Sequence, residues 1–168
     1  MLRLPTSAIG ALDLLLMPVW LLAAAWVQWR QTEILRNGVA LNREQLKLAK
    51  AVGVQSAERV RVTTAITMPL PLPRVAGNLA RCAGWISPRW MFPPIAGMTL
   101  GYGIVLRGDC SADGRLLAHE LAHVAQYERL GLRGFLRQYL RECLWPGYPY
   151  GALEIEAQAA EIMGSMPK

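Results

Sequence analysis

The two histidines of this 168-residue chain stand four positions apart, and a glutamate directly follows the first. The segment reads His119-Glu120-Leu121-Ala122-His123. On an α-helix, residues i and i+4 lie on one face, so both imidazoles can bind a single metal ion. Glu120 can then accept a proton from a water molecule that the metal activates. The spacing therefore predicts the HExxH site of a zinc hydrolase.

The residues around this motif are suited to a helix that is buried in a fold. From Leu116 to Ala125, the three motif side chains are the only polar ones. A metal-binding helix inside a core needs such uncharged surroundings, because charged side chains are rarely buried without partners. The alternative is an amphipathic helix whose histidines are ordinary surface residues. We favour the metal site, since the chain has no other histidine.

The composition describes an apolar and basic chain. Hydrophobic residues make up 53% of it, and its formal net charge is +6. The mean hydropathy is +0.22 and the sequence pI about 9.7. The length suits one domain with a sizeable core. The basic balance suits an anionic membrane surface or acidic partners, whereas no nucleic-acid motif is present, so we expect no nucleic-acid partner.

The cysteines are few and odd in number: Cys82, Cys110 and Cys143. This pattern argues against a disulfide framework and favours a reducing compartment. We therefore expect the protein in the cytoplasm or at the cytoplasmic face of the inner membrane, rather than secreted.

The stretch from Ala11 to Val27 is the most apolar in the chain, and it allows three interpretations. It can be a membrane-associated helix, a helix packed in the core, or a signal peptide cleaved near Ala23–Ala25. We accordingly divide the chain into an apolar N-terminal helix, residues 1–37, and a domain formed by residues 38–168.

Local signals predict the elements that follow. The first helix should end at Asn37-Gly38, and a second should begin after Asn42, with Gln45 completing a capping box. Residues 59–65 alternate like a strand. Six of the eleven prolines lie between Pro69 and Pro94, in a loop that either overhangs a site or connects elements.

Residues Thr99 to Arg107 also alternate, which predicts one further strand. Glycines on one of its faces leave the backbone accessible, so the strand either pairs with an extended substrate or packs under a helix. The HExxH helix should begin after Ser111 or Asp113 and end at Gly131.

A basic stripe follows the motif, with arginines at positions 129, 133, 137 and 141. It is either a solvated face or a contact with anionic lipid headgroups. A turn cluster, Pro146 to Gly151, then leads to a final helix predicted over residues 152–163.

A catalytic zinc ion usually takes three protein ligands, so a carboxylate or a cysteine must join the two histidines. Glu128 lies on the same helix, about 140° around from His123, and points elsewhere. Glu142 adjoins the basic stripe and is expected to pair with it. Three glutamates of the final helix remain as candidates: Glu154, Glu156 and Glu161.

The final helix begins with a segment, residues 154–158, that reads Glu-Ile-Glu-Ala-Gln. It resembles the Glu-x-x-Ala-Asp pattern of the gluzincins, zinc peptidases with HExxH and a glutamate ligand on a later helix. The chain is most similar to the small bacterial minimal gluzincins and the membrane-linked HtpX-type peptidases. The resemblance extends over residues 100–162.

The resemblance implies an α+β, zincin-like metallopeptidase domain, with a small sheet, an active-site helix and a downstream ligand helix. It implies Zn²⁺ held by His119, His123 and Glu154, with Glu156 as the alternative ligand, and a peptide or protein as substrate. Gln158 stands where the family often has Asp, although its carbonyl could still orient a histidine.

Three more side chains are candidates for supporting roles. Gln126 shares the face of both histidines and could orient one of them, contact substrate or act as a buried polar cap. Tyr148 and Tyr150 could stabilise a developing oxyanion, or serve as packing residues in the turn. Cys110 is close to the motif, but the glycine motif of peptide deformylases is missing. Two other function classes remain, a non-catalytic metal-binding protein and a membrane-associated interaction protein with a vestigial site.

Overall fold

The structure, a computed structural model, describes residues 6–65 and 96–165. Within these ranges the fold is α+β, as expected, with four α-helices and a mixed sheet of four strands. The helices are α1 (Thr6–Asn37), α2 (Arg43–Val52), α3 (Gly114–Glu142) and α4 (Ala152–Gly164). The strands are β1 (Val39–Ala40), β2 (Arg61–Ala65), β3 (Gly97–Leu100) and β4 (Gly103–Arg107). The proline-rich segment between β2 and β3 lies outside the described residues.

The sheet has the order β1-β2-β4-β3, in which β2 and β4 are parallel and the other pairs antiparallel. Ile104 and Leu106 of β4 pack with α2 and with the first half of α3, where Leu121 is fully buried. Val105, between them, packs on the opposite face against α1. The sheet therefore carries an apolar cluster on each face, and one of these clusters supports the motif helix.

Helix α1 packs on the sheet through Ala24, Val27 and Ile34, all of which are buried. It also exposes large apolar side chains, including Leu22 and Trp29. None of the helices in the described ranges is long and apolar enough to cross a membrane.

The prediction of one continuous strand over residues 99–107 is wrong. The chain reverses at Gly101 and Tyr102, so β3 and β4 form an antiparallel hairpin. Gly101 has φ +66°, and Gln31 of α1 occupies the space that a Cβ would need. The Gln31 carbonyl oxygen accepts a hydrogen bond, 2.9 Å long, from the Tyr102 backbone N–H. Leu100 consequently packs in the cluster on the α1 face, not beside Ile104.

The predicted cap of α2 is confirmed. Asn42 and Gln45 form a reciprocal capping box, and Gly53 ends the helix with φ 105°. Asp113, one of the two predicted caps, accepts hydrogen bonds from the first backbone N–H groups of α3. Strand β2 begins two residues later than expected, because Ala57–Arg59 form a 3₁₀ turn.

Helix α3 is broken at Gly131, the predicted end of the motif helix, where φ is 68° and ψ is 164°. Helical structure resumes at once and continues to Glu142. The second half of α3 brings the rings of Phe135 and Tyr139 to centroid distances of 6.0 Å from the His123 ring. The break therefore lets one helix contribute to the same site from two directions.

Candidate metal centre

Three expected ligands meet between α3 and α4. One ligand atom each from His119, His123 and Glu154 lies within 4.8 Å of the other two. The distance from His119 Nε2 to Glu154 Oε2 is 3.5 Å, and from His123 Nε2 to Glu154 Oε1 it is 3.6 Å. The i, i+4 spacing thus does place both imidazoles on one face, and this cluster could hold a metal ion.

The Glu154 carboxylate is buried and only partly satisfied. Its Oε1 accepts a hydrogen bond from the Tyr139 hydroxyl at 2.8 Å. Its Oε2 is buried and has no hydrogen-bond partner among the described residues. A buried carboxylate oxygen without a partner is costly, so such atoms are usually paired or bind metal ions. A cation bound between Oε2 and the two imidazoles would remove that cost, so the residues present fit a metal.

In each histidine, the ring nitrogen Nδ1 has a hydrogen-bond partner that fixes the orientation of the ring. His123 Nδ1 lies 2.8 Å from Gln126 Oε1, and Gln126 Nε2 donates to the Leu153 carbonyl at 2.9 Å. Because the amide nitrogen of Gln126 is engaged with Leu153, its oxygen faces the ring, and His123 Nδ1 must donate. In the neutral tautomer that donates from Nδ1, Nε2 is the nitrogen with a free lone pair, and it faces Glu154.

The other imidazole has a carboxylate partner. His119 Nδ1 lies 3.1 Å from Glu161 Oε1, and the second oxygen of Glu161 accepts from Arg115 Nη2 at 3.1 Å. Metal-binding histidines commonly have such a partner, which fixes the orientation of the ring and raises its basicity. Gln158, the residue considered for orienting a histidine, instead donates to the Pro149 carbonyl at 3.5 Å.

The contact of Tyr139 with Glu154 and the role of Glu161 in orienting His119 were not predicted from the sequence. A signal for Glu161 exists, because it follows Glu154 by seven residues, or two helical turns, and must share its face. Tyr139 offers no local signal, since it reaches Glu154 only because Gly131 redirects α3.

Glu120 lies beside the ligands, in a closed environment. It is 4% exposed, and Thr99 Oγ1 of β3 donates to its Oε2 at 2.7 Å. Its Oε1 lies against the Gly97 backbone, where a Cβ would overlap it. Burial raises the pKa of Glu120, although the charges of His123 and His119 oppose the shift.

The candidate ligands influence each other's pKa values. Burial by itself would lower the pKa of His119, but Glu154 and the other nearby carboxylates outweigh it and raise the pKa. Burial would likewise raise the pKa of Glu154, but the two imidazoles and the Tyr139 hydroxyl lower it. The pocket therefore favours a carboxylate anion at Glu154, which is the form that binds a metal.

Both tyrosines of the turn are exposed, Tyr148 less so, at 42%. Partial burial raises the pKa of Tyr148, and the charges of Glu154 and Glu120 raise it further. Tyr150 is 67% exposed.

The remaining carboxylate candidates serve other contacts. Glu128 accepts hydrogen bonds from the backbone of Gln55 and Ser56 and from the Tyr102 hydroxyl. Glu156 pairs with Arg129 through two hydrogen bonds of 2.9 and 2.8 Å.

Glu142 was expected to pair with the basic stripe. Its carboxylate accepts hydrogen bonds from the Leu153 backbone N–H and the Gln138 amide. The first of these holds the beginning of α4, next to Glu154. Cys110 lies in the turn before α3 and outside the ligand cluster.

Comparison with known protein families finds a similarity over a short stretch of the chain. A family model described as the eCIS core domain matches residues 95–131. The match extends over β3, β4 and the first half of α3, so it includes the HExxH motif but not Glu154. No curated protein and no solved structure matches the chain. Over this short stretch the chain is similar to the eCIS core domain, and its similarity to zincin structures remains an expectation.

Proposed function

We propose that this protein is a zinc-dependent hydrolase that cleaves peptide bonds. The observation that carries the proposal is the meeting of His119, His123 and Glu154, with Glu120 directly beside the first ligand. The gluzincin resemblance of the sequence points to the same ligands and the same reaction. The similarity to the eCIS core domain includes the motif, but its description names no reaction.

Zinc is the metal that this donor set favours. Two imidazole nitrogens and one carboxylate oxygen are the ligands of many catalytic zinc sites, in which a fourth position stays open for water or substrate. Other divalent metals also accept imidazole, but they more often require additional ligands or a different geometry. The hydrogen bonds of Gln126 and Glu161 would keep both Nε2 atoms available to the ion.

The reaction assigns separate tasks to the residues of the chain. His119, His123 and Glu154 would hold the zinc ion, which would supply the Lewis acid that activates water and polarises the scissile carbonyl. Glu120 accepts the proton of the attacking water and donates it to the leaving amine, so the peptide bond is broken with no net gain of protons by the enzyme. Thr99 holds one oxygen of Glu120. The other oxygen is the one that exchanges the proton.

Tyr148 has a supporting task in this scheme. Its hydroxyl, on the turn just before α4, is the group that would donate a hydrogen bond to the carbonyl oxygen as negative charge develops there. Tyr139 acts on the ligand instead, because its hydroxyl holds Glu154 Oε1.

One observation favours a second candidate, a metal-binding protein without catalysis. Glu120 is 4% exposed and is enclosed by Thr99 and Gly97 of β3. In this arrangement the general base is covered, so a substrate would reach it only if β3 shifted.

The test compares Glu120→Gln with the wild type in two assays, zinc content and hydrolysis of a quenched fluorescent peptide library. We expect about one zinc ion in both proteins and loss of hydrolysis in the variant, since Glu120 acts on water and not as a ligand. Glu58→Gln is the matched control, because Glu58 is exposed and belongs to a 3₁₀ turn that contributes no residue to the cluster.

The outcomes separate the candidates. Full hydrolysis by zinc-loaded Glu120→Gln would exclude the proposed general base. Zinc binding by the wild type without cleavage of any library member would favour the non-catalytic candidate. A His123→Ala variant that binds zinc as tightly as the wild type would exclude the site itself.

A further inference from the structure

A groove of about 550 Å³ lies between α1 and the broken region of α3, away from the ligand cluster. Small residues from both helices line it. Ala24 and Ala25 contribute from α1, and Gly131 and Gly134 contribute from α3. Large side chains at these positions would fill the space between the two helices, whereas these four small residues leave a slot. Its volume is in the range of small-molecule sites.

The lining of this slot is mixed, with more apolar than polar surface. Leucines 21, 130 and 132 contribute apolar side chains, and Gln28 and Arg133 contribute polar ones. Arg133 is exposed, and it forms no hydrogen bond or ion pair with any residue of the described ranges. A guanidinium without a partner beside an apolar slot matches the shape and charge of an anionic amphiphile.

The other three arginines of the basic stripe indicate whether Arg133 would contact a single anionic ligand or an anionic membrane surface. Arg129 is engaged by Glu156, and Arg137 and Arg141 also have interactions within the protein. Attraction to an anionic membrane surface requires a cluster of available cations, each contributing about 1 kcal/mol. Of the four arginines in the stripe, Arg133 is the one without an internal partner among the described residues, so it offers one anion site, which suits one carboxylate.

We propose that this groove binds a single free fatty carboxylate, with the alkyl chain in the slot between Ala25 and Gly134 and the carboxylate on Arg133. The site shares no residue with the metal centre, so the proposal stands independently of the proposed hydrolase. The apolar stretch that the sequence offered as a membrane element then lines a ligand site instead. Trp29, 63% exposed and next to Gln28, is a natural reporter of binding.

The test is calorimetric titration of the full chain with sodium decanoate, followed in parallel by tryptophan fluorescence. We expect one decanoate per chain. Arg133→Gln should weaken decanoate binding by about tenfold or more, because a charge-assisted hydrogen bond is lost. Ala25→Phe should abolish binding by filling the slot, and Gly134→Leu should do so from the other helix. Arg36→Gln, an exposed arginine of α1 outside the groove lining, should bind like the wild type.

Uncharged decanol is the matched ligand, and its binding should be unaffected by Arg133→Gln. Thermal unfolding of each variant shows that it folds, and Ala25 is exposed, so Phe has room. The proposal is overturned by any of four results. These are no decanoate binding, unchanged binding by both filled variants, equal affinity of the wild type and Arg133→Gln for decanoate, or binding to anionic phospholipid vesicles but not to decanoate.

Discussion

The contact of α3 with α4 and the contact of α3 with α1 use the same helix in opposite ways. Between α3 and α4, buried polar groups meet, including His123, Gln126 and Glu154. Between α3 and α1, small residues meet and leave an open groove. In the α3–α4 contact, hydrogen bonds fix the side chains in place. In the α3–α1 contact, the distinctive feature is the groove that the small residues leave open.

The difference shows how a site can be recognised without a bound ligand. Around the α4 contact, both histidine Nδ1 atoms and Glu154 Oε1 have hydrogen-bond partners, so Glu154 Oε2, which has none among the described residues, stands out as an atom that a cation could satisfy. Burial of such a group without a partner would destabilise the fold. None of the residues that line the α1 groove has such a buried unpartnered atom, and the signal there is a volume lined in part by one cation.

The largest effect on this difference between the two contacts is expected when the Glu154 carboxylate is removed. Glu154→Ala should reduce bound zinc from about one per chain to nearly none, because only two protein ligands remain. The measurement is metal content after dialysis, with Glu156→Ala as control, since Glu156 pairs with Arg129 and not with the histidines. If Glu154→Ala retained a full zinc ion, Glu154 would not be a ligand.

A smaller effect is expected from the residue that holds His119. Glu161→Ala should weaken zinc affinity by about 10–100-fold, since outer partners of ligands contribute that much. Glu161→Gln should lose less, because its amide oxygen can still accept from His119 Nδ1. Chelator competition measures both, and equal losses in the two variants would show that charge, not the hydrogen bond, is what matters.

The contribution of Gly131, where α3 is broken, to the free energy of unfolding can be tested by substitution. Gly131 has φ 68°, a conformation that side chains disfavour, although no atom blocks a Cβ there. Gly131→Ala should therefore destabilise the protein by about 1–3 kcal/mol through backbone strain alone. Denaturant unfolding of the apoprotein measures this. The control is Gly108→Ala, which likewise meets no atom and has no positive φ.

The smallest effect should come from the Arg129–Glu156 pair. Both side chains are about half exposed, so solvent screens the pair, and Arg129→Gln should cost below about 1 kcal/mol. The Arg129 hydrogen bond lowers the pKa of Glu156 below its ordinary 4.5. The contribution is thus present above pH 4.5 and is lost as the pH falls through the lowered, folded-state pKa. Unfolding curves across that range check it, and Arg133→Gln should show no such pH dependence.

Much of the centre was predictable because its signals are local. Helical spacing alone brought His119 and His123 together, and helix caps at Asn42 and Asp113 followed from residue type. The same periodicity separates Glu156 from Glu154, since two residues on a helix point far apart.

Other features depend on contacts across the fold and left no local pattern. The turn at Gly101 was hidden because alternation continues on both sides of it, and only Gln31 of α1 marks the reversal. The partner of His119 was Glu161 and not Gln158, because the docking of α4 on α3 decides which turn of the helix reaches the ring.

The division of the ligands between two helices has a kinetic consequence. Release of a bound ion is expected to require that Glu154 part from the histidines, which means that the start of α4 must open away from α3. That opening breaks two hydrogen bonds, one from the Gln126 amide to the Leu153 carbonyl and one from the Leu153 backbone N–H to the Glu142 carboxylate. With a large excess of chelator, the rate of metal exchange would then cease to depend on the chelator. It would report instead how often this part of the protein unfolds locally.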